Sequence, residues 1–536
     1  MKSNKSSRIK IVCLNSMVAL ISQNLQILLS FFIRKIFINT LGVAYLGYNS
    51  VFANILQMLN LADLGIGVAI TSFLYKPLTK GDTNRVSALM FLYKKIYNII
   101  GAIILILGII ISYFLEILIP DASCGIEYLR VLFYINLMGT VSTYFLAYKR
   151  TLVIADQKSY LTNLVDMIIS FIISSIQIIM LFIMPNYITY LVLGITKNII
   201  SNIILSLKAT KLYGKINKTV DNNLLSEYRP QVIEYVKDIF ISRIGATIYY
   251  GTDNVIISIF KGSLLTGYLS NYTMITIQLS TIVNQLLSSL QASFGSYINS
   301  DKTLIEQKNM TDNYFCVNFC IGNFCMVCFA LLAQPFITLF LDESFTLKFS
   351  TVLWLAINLM LTIMIQLPSQ VFTIYKLFHF DKPIIILSAI LNIVISIALV
   401  QIIEIDGVLI GTFITSLIYL FSRIYIISKY VYYVSYIKYI KKTLFYFCIS
   451  TASFIITWYV TQGISGNTII TFIIRSFIVG TLSILIPTAL LSFSNEFKFL
   501  LNKLLPKNIK SFCNRINIYI LCIIVIIASL IMGRLK

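Results

Sequence analysis

From its first residues onward the chain alternates long apolar runs with short polar breaks. Runs such as Ile99–Ile119, Ile168–Met184 and Ile518–Met532 are almost free of charge. They approach or reach the roughly 20 apolar residues that cross a hydrocarbon core. Backbone polar groups must be paired inside lipid, so only helices or closed barrels fit there. These runs do not alternate, and they therefore predict helices. Fourteen spans follow, near 11–38, 46–75, 96–119, 127–147, 160–184, 187–207, 239–260, 267–295, 314–340, 350–375, 383–403, 407–428, 443–462 and 467–492. The first follows a basic start, Met1–Lys10, without a small-residue cleavage site behind it, and reads as a retained span.

Charge adds an orientation. Only 12% of the 536 residues are charged against 58% hydrophobic, with a net charge of +21. A soluble domain of this length carries about twice that charged fraction. With the N-terminus cytoplasmic, one set of connections gathers most of the 42 Lys and Arg. The other set holds only Arg34, Lys35, Arg130, Lys261 and Lys348 beside Glu116, Asp121, Glu127, Asp342, Glu343, Glu404 and Asp406. This is the positive-inside pattern. The basic surplus belongs to a cytoplasmic membrane face, and nucleic acid is not an expected partner.

Nine cysteines form no disulfide framework, and Cys316, Cys320, Cys325 and Cys328 fall within one apolar run. They read as small packing residues rather than metal ligands. His379 is the single histidine and lies in a predicted cytoplasmic loop, which leaves no histidine-based catalysis or zinc site. A transporter is expected, not an enzyme, and no cofactor.

A faint repeat divides the chain. Gly42-Val43-Ala44-Tyr45-Leu46-Gly47-Tyr48 opens the second span, and Gly262-Ser263-Leu264-Leu265-Thr266-Gly267-Tyr268 opens the eighth. The fold expected is all-α and polytopic: two pseudo-symmetric six-helix lobes and a C-terminal helix pair, with substrate passing between lobes. The boundaries are 1–215, a cytoplasmic linker 216–236, 237–430, and a tail 431–536. Within the tail, Glu496–Arg515 is basic and amphipathic and suits the cytoplasmic surface. Residues 518–532 fit either a fifteenth span or an interfacial tail.

Ionisable groups at mid-bilayer cost about 2.5–3.5 kcal/mol on insertion scales, so each one is informative. They are Arg34, Lys35, Asp63, Asp166, Lys197, Arg243, Asp253 and Arg475. Ser16, Gln23, Ser30 and Arg34 share one face of span one; Gln278, Thr281, Gln285 and Ser288 form a stripe on span eight. Such stripes face a wet cavity or bond to neighbouring helices. Asn54 and Gln57 share a face of span two. For Arg34 and Lys35, snorkelling at the outer interface competes with a ligand role. Arg243 and Asp253 are about 15 Å apart on one helix and do not pair. Lys197 and Asp166 read as a structural pair between spans five and six, and Arg475 as structural.

Several segments resemble a known family. Leu59-Asn60-Leu61-Ala62-Asp63-Leu64-Gly65-Ile66-Gly67, continuing to Leu74-Tyr75-Lys76-Pro77-Leu78, is similar to the second-helix signature of Gram-positive polysaccharide repeat-unit flippases, with Asp63 where that family usually has Glu. Ala155-Asp156-Gln157-Lys158-Ser159-Tyr160 resembles the entry to its fifth helix. Asp253-Asn254 with Gly267-Tyr268-Leu269-Ser270-Asn271-Tyr272 resembles its seventh and eighth, and Gly407-Val408-Leu409-Ile410-Gly411-Thr412 its twelfth. The likeness runs over about residues 10–430.

The resemblance implies the multidrug/oligosaccharidyl-lipid/polysaccharide exporter superfamily, with alternating access. It implies transfer of an undecaprenyl-pyrophosphate-linked oligosaccharide to the outer leaflet of the bacterial plasma membrane, beside the polymerase and glycosyltransferases of that pathway. In the family, spans one, two, seven and eight line the cavity, where cations meet the pyrophosphate. That assigns Arg34 and Arg243 to the headgroup and Lys35, Gln23, Asn54, Gln57, Gln278 and Gln285 to the lining, with Asp63 and Asp253 as candidate coupling carboxylates. The rivals are a cation-coupled drug exporter of the same superfamily, which would favour acidic cavities, and a polymerase or glycosyltransferase, which would carry a long external loop. A scaffold for a polysaccharide synthesis complex is a third.

Overall fold

Helices start where the sequence supplies caps. In the structure, a computed structural model describing residues 4–60, 66–122, 124–146, 148–156, 158–214, 223–233, 251–298, 303–375, 377–464, 468–494 and 496–498, every described element is helical. Asp82 accepts from the Arg85 amide at 3.0 Å and opens α4 (Thr83–Ser112). Asn186 accepts from the Ile188 amide at 2.8 Å and opens α9 (Tyr187–Tyr213). Capping boxes at Thr303/Glu306 and Thr468/Thr471 open α12 (Leu304–Phe340) and α16 (Ile469–Leu491). Thus α4 and α12 begin well before the apolar windows at 96 and 314. Hydropathy marks the part in lipid, whereas the cap marks the helix.

The remaining helices are α1 (Asn4–Leu41), α2 (Val43–Leu59), α3 (Ile66–Lys80), α5 (Leu115–Leu118), α6 (Ile126–Leu146), α7 (Tyr148–Ala155), α8 (Ser159–Ile183), α10 (Asp253–Lys261), α11 (Ser263–Ile298), α13 (Phe349–Ile374), α14 (Phe378–Ile426) and α15 (Tyr436–Thr461). Among the described residues nine helices are long and apolar enough to span a membrane, or ten with the bent pair α6–α7. The predicted fourteen differ from these for local reasons. Within α14, Ile403 and Glu404 leave helical geometry, so two predicted spans run together there. Of the second span, α2 and α3 are described and residues 61–65 are not; α11 is too polar to count as a span; most of span seven lies outside the described residues. So do 499–536, with nearly all of the amphipathic segment and the whole 518–532 run, and much of the 216–236 linker. The protein is an all-α polytopic membrane protein.

The chain forms two compact units, Met1–Gly267 and Tyr268–Lys536. In the first, α1 packs on α8, α4 on α6, and α9 on both α6 and α8. The repeat glycines have distinct jobs here. Gly42 and Gly262 adopt φ of 91° and 89°, which β-carbon-bearing residues rarely adopt. Gly47 and Gly267 let backbones touch: a β-carbon on Gly47 would lie 2.0 Å from the Ser263 carbonyl oxygen, and one on Gly267 2.6 Å from that of Val43. The contact is a small-residue helix crossing. Asp121 locks it by accepting from the Ser263 amide at 2.9 and 2.8 Å and from its hydroxyl at 2.9 Å.

In the second unit, α12 packs on α13, α15 and α16, and α13 on α14. Asn323, wholly buried on α12, donates to the Ser483 carbonyl of α16 at 3.2 Å and to Ser453 of α15 at 3.5 Å. Lys442 of α15 joins Glu496 at 2.8 Å and Asp312 of α12 at 3.8 Å. Burial pushes the Glu496 carboxyl up, but the hydrogen bond and charge of Lys442 outweigh it, leaving the group below its ordinary range.

Candidate functional site

Arg34 lies seven residues from the end of α1, about 10 Å from its C-terminus. It is half-buried, and Tyr190, in the first turn of α9, is the titratable group whose field meets it. An aromatic collar fixes this corner. Phe37, one turn beyond Arg34, is buried with its ring edge-on to Tyr187 at 5.6 Å and Tyr190 at 4.9 Å. Tyr45 lies 4.9 Å from Tyr187, whose hydroxyl donates to Asn49 at 3.3 Å. Each such ring pair adds about 0.5–1.5 kcal/mol beyond its area burial. The collar holds α1, α2 and α9 together beside Arg34.

The same face of α9 continues inward. Lys197 follows Tyr190 by seven residues, nearly two turns on, and so lies below it by about 10 Å. It is half-buried, and among the described residues it makes no hydrogen bond or ion pair. Its expected partner is taken. Asp166 of α8 binds both terminal nitrogens of Arg150, one at 3.1 Å, and accepts from Ser201. Arg150 stands on α7, which bends by 51° from α6 and carries its basic residues toward α8. A short helix after a bend was not visible as a separate element in the hydropathy, so the ion pair was assigned to the wrong cation. The Asp166 charge still reaches Lys197 through space.

The other predicted residues are placed as follows. Lys35 is half-buried beside Arg34, and Gln23 on the same helix has its amide nitrogen buried with no hydrogen-bond partner among the described residues. Asn54 is half-buried and Gln57 exposed on α2; Asp253 is half-buried in the first turn of α10. Gln278 and Gln285 are half-buried on α11, in the second unit. Asp63 and Arg243 lie outside the described residues. The structure therefore brings Arg34 to Tyr190, beside the Phe37–Tyr187 contact, with Lys197 two turns further along α9. Among the described residues no group of three or more His, Cys, Asp or Glu is arranged to hold a metal ion. The tyrosines were overlooked by sequence reading, although Tyr187 and Tyr190, one turn apart directly after Pro185-Asn186, carry a readable signal of a capped, aromatic helix start.

No protein-family model and no curated protein matches the chain. Solved structures do match. The lipid II flippase MurJ in an inward closed conformation superposes with a TM-score of 0.65 at 16% identity, over 90% of this chain and 99% of that one. The fold is shared with transporters. An inward-facing multidrug resistance MATE family transporter of the MOP superfamily follows, with a TM-score of 0.60 and 14% identity over 77% and 98% of the two chains. Its outward-facing form gives 0.52 at 14% identity over 78% and 95%. At such identities the likeness carries architecture and not cargo.

Proposed function

We propose that the protein flips a polyprenyl-pyrophosphate-linked oligosaccharide, with undecaprenyl as the lipid, from the cytoplasmic to the outer leaflet of a bacterial plasma membrane. The lobes would be 1–215 and 237–430, alternating about the linker 216–236, with the N-terminus cytoplasmic and the tail 431–536 appended. The observation that carries this reading is Lys197, a membrane-depth cation without an ion-pair partner among the described residues, stacked on one helix face beneath the Arg34–Tyr190 corner. A structural lysine would have taken Asp166; Arg150 holds that carboxylate instead. A cation beside Tyr190 and a second about 10 Å along α9 from that tyrosine suit an anion that advances between them. Each offers charge-assisted bonds in place of water, while the polyprenyl chain stays in lipid. Arg243 joins this set by its sequence position, Gln23, Asn54, Gln57, Gln278 and Gln285 as sugar-facing polar groups, and Asp63 or Asp253 as sites of cation coupling. Polymerase and glycosyltransferases of surface polysaccharide synthesis are the proposed neighbours in the membrane.

Purified protein in liposomes, given a fluorescent polyprenyl-pyrophosphate oligosaccharide, tests this directly. Arg34→Ala, Lys197→Met and Arg243→Ala should each slow transfer by about tenfold or more, the loss of one charge-assisted contact, at unchanged expression. Lys197→Arg should keep most activity. Full transfer by both Arg34→Ala and Lys197→Met would reject the reading, and efflux of an organic cation without lipid transfer would favour the exporter.

A further inference from the structure

A polar hollow lies in the unit Tyr268–Lys536. It measures about 420 Å³ and opens between α12, the turn before α13, and the neighbouring ends of α15 and α16. Its polar lining is Gln334, Thr338, Glu343, Thr346 and Arg475, with Trp458 as the aromatic wall. Such a volume is in the range of small-molecule sites.

Arg475 is the unusual member. It lies six residues into α16, about 9 Å below the helix start. Its Nε is buried without a hydrogen-bond partner, and no carboxylate of the described residues is within ion-pair distance. The residue is half-buried, and a guanidinium does not discharge, so its charge at the hollow favours an anion there. Glu343 lines the same hollow but forms no ion pair with Arg475, so a gap separates the two charges. The other polar groups are partly committed: Gln334 donates to the Leu347 carbonyl at 2.6 Å and Thr346 to that of Glu343 at 2.7 Å. The Asp342–Lys348 turn belongs to the acidic connections assigned to the outside, and Trp458 suits that interface.

We infer that this hollow holds the headgroup of an amine-bearing phospholipid of the outer leaflet, its phosphate on Arg475 and its ammonium toward Glu343, with the acyl chains in the surrounding bilayer. Guanidinium binds phosphate bidentately, which a lipid phosphodiester satisfies at interfacial depth. The carboxylate on the far side selects a zwitterionic head over an anionic one. The inference stands apart from the transport reading, since neither Arg475 nor Glu343 belongs to the proposed headgroup wall.

Native mass spectrometry of the full chain, delipidated in detergent and titrated with phosphatidylethanolamine or phosphatidylglycerol, tests it. Arg475→Gln should weaken both lipids by about tenfold, the loss of a bidentate charged contact. Glu343→Gln should weaken only the phosphatidylethanolamine complex and so erase the preference between the two. Should Arg475→Gln fail to stay monodisperse, Arg475→Lys supplies the same readout, with weakened binding expected from the lost fork. Unchanged lipid binding in the arginine variant, or an unchanged preference in the glutamate variant, overturns the proposal. So does inorganic phosphate displacing the lipid at equal concentration, which would mark a soluble-anion site.

Discussion

Burial, more than distance, decides what an ion pair in this protein contributes. Asp381 and Arg423 meet through two bonds of 2.8 and 2.5 Å with side chains only 5% and 6% exposed, and Arg423 also donates to Ser369. Its guanidinium lies over the Tyr419 ring at 4.1 Å. Lys348 and Glu404 are as close, 2.7 Å, yet 72% and 52% exposed. Removing one partner of a buried pair strands the other charge and costs about 3–5 kcal/mol, whereas an exposed pair contributes about 0–1 kcal/mol. Asp381→Asn should therefore lower the thermal unfolding midpoint in detergent sharply, and Glu404→Gln should barely move it. Equal midpoints for the two variants would show that burial is not the deciding variable. Neither pair was legible in the sequence. Asp381 and Arg423 are 42 positions apart, and each taken alone reads as an ordinary interfacial charge.

Among the elements, the repeated Gly-x4-Gly-Tyr motif shows how a weak sequence signal acquires a physical meaning. Its first glycine supplies a positive φ at a helix start, and its second allows the α2–α11 crossing, where Ser263 and Val43 carbonyls meet Gly47 and Gly267. A methyl group at Gly47 would face a backbone oxygen at 2.0 Å, which has no side-chain freedom to yield. Gly47→Ala should destabilise the crossing by about 1–3 kcal/mol, the usual penalty of overpacking. Maleimide labelling of a cysteine placed at the buried Leu46 should rise in that background; unaltered labelling would argue that the helices already separate freely. The helices themselves were readable because apolar length and capping residues are local properties. Bends were not: the α6–α7 break that sends Arg150 to Asp166 leaves no periodicity of its own, and so Lys197 was given a partner it does not have. Arg34 stood out in the sequence because a cation topping a polar stripe is conspicuous. Its tyrosine collar was missed because aromatic residues at helix starts are common at any membrane interface.

For the whole molecule, the proposed transfer carries a test that no single residue supplies. If Arg34 and Lys197 stay on the wall of the first unit while the pyrophosphate passes them, the charge crossing the bilayer is the substrate's own. Outward movement of an anion then gains about 2.3 kcal/mol per charge for each 100 mV of inside-negative potential. A counter-cation entering through a carboxylate such as Asp253 adds to the same current, because positive charge moving in and negative charge moving out have one sign. A cation leaving together with the lipid would cancel it. Liposomes given a potassium diffusion potential separate these cases: inside-negative potential should accelerate transfer and inside-positive potential should slow it, for proteins oriented with the N-terminus in the lumen. Indifference to the potential would mean that the cations travel with the headgroup. The wall of fixed charges beneath Tyr190 would then be a structural feature and not a path.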